Sequence, residues 1–322
     1  MVSKYFQINN PFLQALFPLI LFFIWWPISW SSPGDVVVGN LWFELLRTGI
    51  PLWDKIIAFS SIVFLSILFN SLLNKNDLVQ KLRYFPGFAC LFLLGITTDQ
   101  MNLNPLHFAN VFVLLALGFA LQLNQKGSVQ RPVFLAGLFI GLAGLFYPPY
   151  FVITLAFPII LTSLKGWSFR YFMWVILGVL FPLFFIGGAE FALVGSLDFL
   201  RGIFISPEIF SLEIDGQFGM PPLESSILLF LVVLLSAVGS IQFFRIRAGN
   251  ILRIQQRMWA VYLFFLPLFI LFVVAYFIGQ NFQIGIIAFP LAYLAYGVLS
   301  EVKSELLRDA LMFLFFGLLV YI

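Results

Sequence analysis

A polar stretch at residues 96–110 carries the side chains best suited to chemistry. It lies between two apolar runs and holds Asp99, four amide side chains and His107, the only histidine among 322 residues. Burying such groups in hydrocarbon is costly unless they are paired. A carboxylate near a membrane surface can act as general base for an acceptor hydroxyl, or hold a divalent cation against a phosphate. The simpler alternative is that Asn104 and Pro105 turn the chain and cap the next helix, with Asp99 solvated.

Two further acids, Asp35 and Glu44, follow an earlier apolar run. If helices that are close in sequence pack together, these acids and Asp99 come near one another on one side of a membrane. The alternative is that each is a solvated loop acid. Phosphate-binding loops, dinucleotide fingerprints, zinc-protease motifs and nucleophile elbows are absent from the sequence. The chemistry of soluble enzymes therefore has no motif here.

The composition is that of an integral membrane protein. Hydrophobic residues make up 62% and charged residues 10% of the chain, and the mean hydropathy is +1.05. This leaves too little polar surface to cover a soluble globule. With one cysteine and one histidine, disulfides and Cys- or His-rich metal sites are excluded. Nucleic acid is not expected as a partner, because the basic residues act as membrane-orientation signals.

The apolar runs have the length of membrane-spanning helices, about 17 to 25 residues for a hydrocarbon core of roughly 30 Å. They predict an all-α fold, a polytopic helical bundle of about eleven spans. The predicted spans are 11–30, 54–73, 84–98, 107–124, 132–147, 149–164, 171–190, 225–243, 259–279, 284–300 and 309–322.

The basic residues predict the orientation. With a cytoplasmic N-terminus, 14 of the 17 lysines and arginines fall on inside segments, as the positive-inside rule requires. Ten of the 14 acids fall outside, which marks the outer face as the working face. Two outer segments are long: loop 31–53, with a short interfacial helix predicted at 40–49, and loop 191–224. The inner segments are short, basic connectors, although the arginines at 245–257 could also meet anionic lipid headgroups.

A face of small residues is predicted on the fifth span. Gly137, Gly141 and Gly144 recur at helical spacing, a pattern that lets a neighbouring helix approach closely. Tyr147, Pro148 and Pro149 then turn the chain at the outer surface. If the helices pack in sequence, this turn lies near the polar stretch around Asp99.

The layout resembles the conserved module of polyprenyl-phosphate-dependent glycosyltransferases of the GT-C fold. The resemblance covers residues 1–225 and rests on the acidic first outer loop, the Ala-Gly-Leu segment that begins at Ala136 and the long loop after the seventh span. Residues 226–322 add C-terminal transmembrane helices. The paired acidic motif usual in that family is absent, because three valines follow Asp35. The whole chain is also similar to multispanning inner-membrane proteins of the Bacteroidetes type, which implies an envelope location.

The resemblance implies catalytic roles for Asp35 and Asp99. Glu44, Asn104, His107, Tyr147 and Arg201 are the predicted substrate contacts. A divalent cation is the one cofactor left open, and its ligands are not predicted. The implied partners are membrane lipid and a polyprenyl-phosphate sugar donor, used at the periplasmic face of the inner membrane. The alternatives are a non-enzymatic scaffold or assembly subunit of an envelope system, and a transporter of a small solute or lipid.

Overall fold

A computed structural model describes residues 18–19, 22, 51–96, 103–123, 129–166, 168–195, 223–277 and 284–321. These residues form helices and short connections, with no strand among them, which confirms the all-α fold class. From residue 51 onward the described helices are α1 (Pro51–Lys75), α2 (Phe85–Ile96), α3 (Pro105–Gln122), α4 (Gln130–Phe146), η1 (Pro148–Val152), α5 (Ile153–Lys165), α6 (Phe169–Val194), α7 (Leu223–Ala248), α8 (Leu252–Phe277), η2 (Ile284–Ile286), α9 (Ala288–Glu301) and α10 (Glu305–Tyr321).

The predicted spans from the second onward each overlap a described helix, with ends shifted by up to seven residues. Spans 149–164 and 284–300 each also include a 3-10 turn, η1 and η2. By length and composition, five of the described helical segments can cross a membrane: 52–75, 105–122, 148–165, 169–192 and 252–274. Two shorter apolar helices, Phe85–Gly95 and Gln130–Phe146, lie among them. The protein is thus a helical membrane protein, while the count of about eleven spans stays a prediction. Of the first predicted span, only Pro18, Leu19 and Phe22 are described.

Local chemistry accounts for several helix ends. Asp54 lies in the first turn of α1 and Lys75 in its last turn, where each charge complements the helix dipole. Gly195 ends α6 in the left-handed conformation, with φ of 76°, which a residue without Cβ adopts readily. Gly166 ends α5 with a φ of 85° as well, but its ψ of 163° is extended rather than left-handed helical.

The predicted glycine face is confirmed where α4 packs against α6. A Cβ built on Gly137 would collide with the backbone of Val175, and one on Gly141 would lie 2.5 Å from the carbonyl oxygen of Val179. Gly144 has a different neighbour, the ring of Phe151 in η1. Small residues therefore bring the two helix backbones into direct contact, as in other membrane helix pairs.

Helix α9 forms the centre of the C-terminal half. Twelve of its residues are buried, from Ala288 to Ser300, and it packs against α2, α7, α8 and α10. A helix that is apolar on all sides is expected in a core rather than at a lipid surface. By contrast, α6 and α7 expose large side chains such as Phe184 and Phe230, as lipid-facing helices do.

Two ends of the bundle can be distinguished by the residues that meet there. The start of α3, the turn after α4 and η2 meet at one end, which we call the Tyr147 end. The connection between α1 and α2 meets the α7–α8 turn and the end of α9 at the other, which we call the Arg257 end. Two basic side chains from separate parts of the chain, Lys81 and Arg257, thus lie at one end of the bundle.

Candidate functional site

Three of the seven predicted site residues lie in the described part of the chain, and all three are at the Tyr147 end. They are Asn104, His107 and Tyr147. Asp35, Glu44, Asp99 and Arg201 lie outside the described residues, so their roles stay predictions. The expected proximity of the polar stretch 96–110 and the Tyr147 turn can therefore be judged only from residues 103–110, the described part of that stretch.

Asn104 is the N-cap of α3. Its backbone is extended, and its Oδ1 accepts a hydrogen bond of 3.0 Å from the backbone N–H of Leu106. Pro105 occupies the first helical position, where the missing N–H costs nothing. The alternative interpretation, in which Asn104 and Pro105 turn and cap the chain, is confirmed for this residue. Because Asn104 is only 4% exposed, its side chain acts inside the fold.

His107 lies one turn further along α3 and is completely buried. Its backbone N–H donates to the carbonyl oxygen of Asn104 across 3.0 Å, which closes the first turn. The imidazole therefore sits within the bundle rather than on its surface. Its predicted contact with substrate stays a prediction.

A buried network that sequence reasoning missed lies next to these residues. The hydroxyl of Tyr150 in η1 donates to Oδ1 of Asn110 across 2.5 Å. The Nδ2 of Asn110 donates in turn to the carbonyl oxygen of Gly285 in η2 across 3.1 Å. Both side chains are fully buried, so each polar atom that pairs avoids a large desolvation cost. The network joins three separate parts of the chain at the Tyr147 end.

Tyr147 ends α4 in an extended conformation and remains half-buried. Its ring meets the ring of Tyr150 edge to face, with centroids 5.0 Å apart. The turn at Tyr147 and the start of α3 are therefore adjacent, as predicted, because Tyr150 contacts both. The signal available in the sequence was an asparagine within an apolar helix and a second tyrosine after two prolines.

The connections at the Arg257 end form specific side-chain contacts, which the prediction of plain connectors did not include. Between α1 and α2, the backbone N–H of Gln80 donates to the hydroxyl of Tyr296, and the Lys81 ammonium contacts Glu301 at 3.2 Å. The buried Arg257 donates to the carbonyl oxygen of Asn76 across 3.2 Å. These partners come from α8 and α9. The connection between α1 and α2 therefore links the first helices of the bundle to its C-terminal helices.

A groove of about 300 Å³ opens between α7, α8 and α9. Its lining is apolar apart from a few serine and tyrosine hydroxyls. The hydroxyl oxygens of Ser240 and Tyr262 lie 3.2 Å apart and form a hydrogen bond. The Tyr293 hydroxyl is buried behind it and has no hydrogen-bond partner among the described residues. Exposed side chains such as Leu266 and Ile270 form its rim. We call this feature the α7–α8–α9 groove.

Among the residues that the structure describes, no group of three His, Cys, Asp or Glu side chains could hold a metal ion. Cys90, the only cysteine, is buried within α2. Comparison of the chain with family models, with curated proteins and with solved structures found no match.

Proposed function

We propose that the protein is an inner-membrane transferase that moves a sugar from a polyprenyl-phosphate carrier to an acceptor at the periplasmic face. The observation that carries the proposal is the meeting of the start of α3 with the turn after α4 at the Tyr147 end. Asp99 precedes Asn104 by five residues, a stretch that reaches at most about 18 Å. Chain connectivity thus limits the distance between Asp99 and Asn104, and the approach of its carboxylate to this meeting point is part of the proposal.

In the proposed reaction, a carboxylate of Asp35 or Asp99 takes the proton of an acceptor hydroxyl. The hydroxyl oxygen then forms a bond to the anomeric carbon of the sugar, and the bond from that carbon to the phosphate oxygen breaks. Polyprenyl phosphate leaves with the bonding electron pair. A carboxylate positioned for this step contributes a rate factor of about 10² to 10⁴.

The remaining predicted residues would bind the substrate. The guanidinium of Arg201 suits a lipid phosphate, because it donates two parallel hydrogen bonds. Glu44 and Tyr147 would contact the sugar or the acceptor. A divalent cation held by these acids would neutralise charge on the leaving phosphate.

The direct test is sugar transfer by the purified protein in liposomes that contain radiolabelled polyprenyl-phosphate glucose, mannose or arabinose. Asp35→Asn and Asp99→Asn retain side-chain size but remove the charge, and we expect at least one of them to lose about a hundredfold in rate. Asp54→Asn is the matched control, because it removes an acid from the first turn of α1.

A result against the proposal would be transfer that is undetectable with the wild-type protein for every donor. Equal activity of wild type and both aspartate variants would also remove the catalytic assignment. Folding of each variant is checked by its elution as a single species and by its helical content.

A scaffold or assembly subunit is the second candidate, and one observation favours it. At the Tyr147 end, Asn104, Asn110 and Tyr150 all have hydrogen-bond partners within the chain. Polar groups used in this way stabilise the fold and need no substrate. In that case the aspartate variants support full growth of a deletion strain, and partner proteins co-purify equally with all of them.

A further inference from the structure

The face of α7 that lines the α7–α8–α9 groove continues beyond the groove toward the Arg257 end. Ser236, Ser240, Phe244 and Arg247 follow one another at helical spacing, so they share that face. Arg247 is seven positions after Ser240, which corresponds to about 10 Å along the helix. The backbone of Arg247 thus lies about 10 Å beyond the Ser240 end of the groove.

Aromatic rings fill the interval between the groove and Arg247. On α8, the rings of Trp259 and Tyr262 stack with centroids 5.7 Å apart. Phe244 of α7 contacts both of them, at 5.8 Å and 5.6 Å. An apolar surface therefore runs without a charged residue from Trp259 into the groove.

Arg247 has unused hydrogen-bonding capacity at the end of this surface. Its guanidinium carbon lies 5.0 Å from the centre of the Trp259 ring, a cation–π geometry that fixes the side chain. Its Nε is buried without a hydrogen-bond partner among the described residues. The side chain is half-buried, so its remaining N–H groups can donate to an anion, and guanidinium groups match phosphate well.

Four hydroxyl-bearing residues line the groove; three of their hydroxyls are paired within the chain, and that of Tyr293 is buried away from the groove surface. Ser236 donates to the carbonyl oxygen of Val232, and the hydroxyls of Ser240 and Tyr262 pair with each other. Half of a hydrocarbon core measures about 15 Å, so an acyl chain that starts level with Arg247 extends past Tyr262 and reaches about the level of Leu266. The expected ligand is thus a molecule with an anionic head group and a hydrocarbon chain.

We propose that the protein binds one anionic phospholipid here, with the phosphate at Arg247 and one acyl chain in the α7–α8–α9 groove. The phosphate position at Arg247 lies at the bundle end opposite Tyr147, and the proposal does not rest on the proposed transferase function. Membrane lipids supply the ligand at high local concentration. The bound acyl chain would fill the gap between α7, α8 and α9 that protein atoms leave open.

The test is lipid binding by the purified full-length protein in detergent, measured by native mass spectrometry with dipalmitoyl phosphatidylglycerol and phosphatidylcholine. We expect tighter binding of phosphatidylglycerol, and an increase of about fivefold in its dissociation constant for Arg247→Gln. Arg131→Gln is the control, because it removes the same charge from an exposed position on α4. Equal weakening by both variants, or no preference for the anionic lipid, would overturn the phosphate site.

The acyl-chain site is tested by filling the groove. Leu266→Trp adds bulk at the rim, whereas Leu177→Trp adds it at an exposed position on α6 outside the groove. Only Leu266→Trp is expected to weaken phosphatidylglycerol binding. In the wild-type protein, dihexanoyl phosphatidylglycerol should compete at least tenfold less well than the long-chain lipid. Equal effects of the two tryptophans, or equal competition by the short-chain lipid, would overturn the groove as the acyl-chain site.

Discussion

The hydroxyl of Tyr150 lies 2.5 Å from Oδ1 of Asn110, and this hydrogen bond joins the turn after α4 to the first half of α3. Both side chains are fully buried. Asn110 also donates a hydrogen bond to the carbonyl oxygen of Gly285. The pair therefore connects residues that are far apart in the sequence. The Tyr147 end is therefore fixed by side-chain hydrogen bonds as well as by apolar packing.

Tyr150→Phe is expected to destabilise the protein by about 1 kcal/mol. The change leaves Oδ1 of Asn110 buried without its donor, which costs about 1–3 kcal/mol in soluble proteins, while hydrogen bonds between membrane helices average about 0.6 kcal/mol. The measurement is the midpoint of unfolding by SDS in mixed micelles.

Tyr293→Phe is the matched control for that variant, and it is expected to be neutral or slightly stabilising. The Tyr293 hydroxyl is equally buried but has no partner among the described residues, so its removal relieves a desolvation cost rather than breaking a hydrogen bond. Similar losses for the two tyrosines would show that the Tyr150–Asn110 bond adds nothing specific.

Gly141→Leu is expected to disrupt the α4–α6 contact and to lower the unfolding midpoint sharply. A Cβ at this position would lie 2.5 Å from the carbonyl oxygen of Val179, and a backbone atom cannot move aside as a side-chain end can. Gly188→Leu is the control, because nothing lies within 4 Å of its Cβ position. If both leucines had equally small effects, α4 and α6 would not be in backbone contact in the membrane.

The helices and the glycine face could be predicted from the sequence because each depends on local patterns. Apolar runs of the right length predicted the helices, and the spacing of Gly137, Gly141 and Gly144 predicted a close helix contact. The Tyr150–Asn110–Gly285 network could not be predicted, because its members are 40 and 175 positions apart. Which distant groups meet is decided by tertiary packing.

The connection between α1 and α2 illustrates the same limit. Its basic residues predicted one side of the membrane, but their partners could not be deduced. Gln80 bonds Tyr296 across 216 positions, and Lys81 contacts Glu301 across 220. The candidate site was predictable only in part, since Asn104 carried two interpretations and the structure favours capping.

The predicted orientation can be tested by labelling single cysteines. With the buried Cys90 replaced by alanine, cysteines introduced at Ser211 and Gly249 are expected to react from opposite sides, Ser211 from the periplasm and Gly249 from the cytoplasm. Gly249 is exposed between α7 and α8, and Ser211 lies outside the described residues. Membrane-impermeant maleimide on intact and opened cells is the measurement, and labelling of both from one side would contradict the predicted spans.

The two interpretations of Asn104 are separated by substituting it with serine and with alanine. If Asn104 acts as an N-cap, Asn104→Ala is expected to lower the free energy of unfolding by about 0.5–2 kcal/mol. Asn104→Ser should lower it little, because a serine oxygen also accepts a hydrogen bond from the first turn of a helix. A substrate contact through the amide would be lost in both variants. Unfolding midpoints and sugar transfer per folded protein are therefore measured together. Because Oδ1 already accepts from Leu106 and the side chain is buried, we expect stability to follow the capping order and transfer by the serine variant to match wild type.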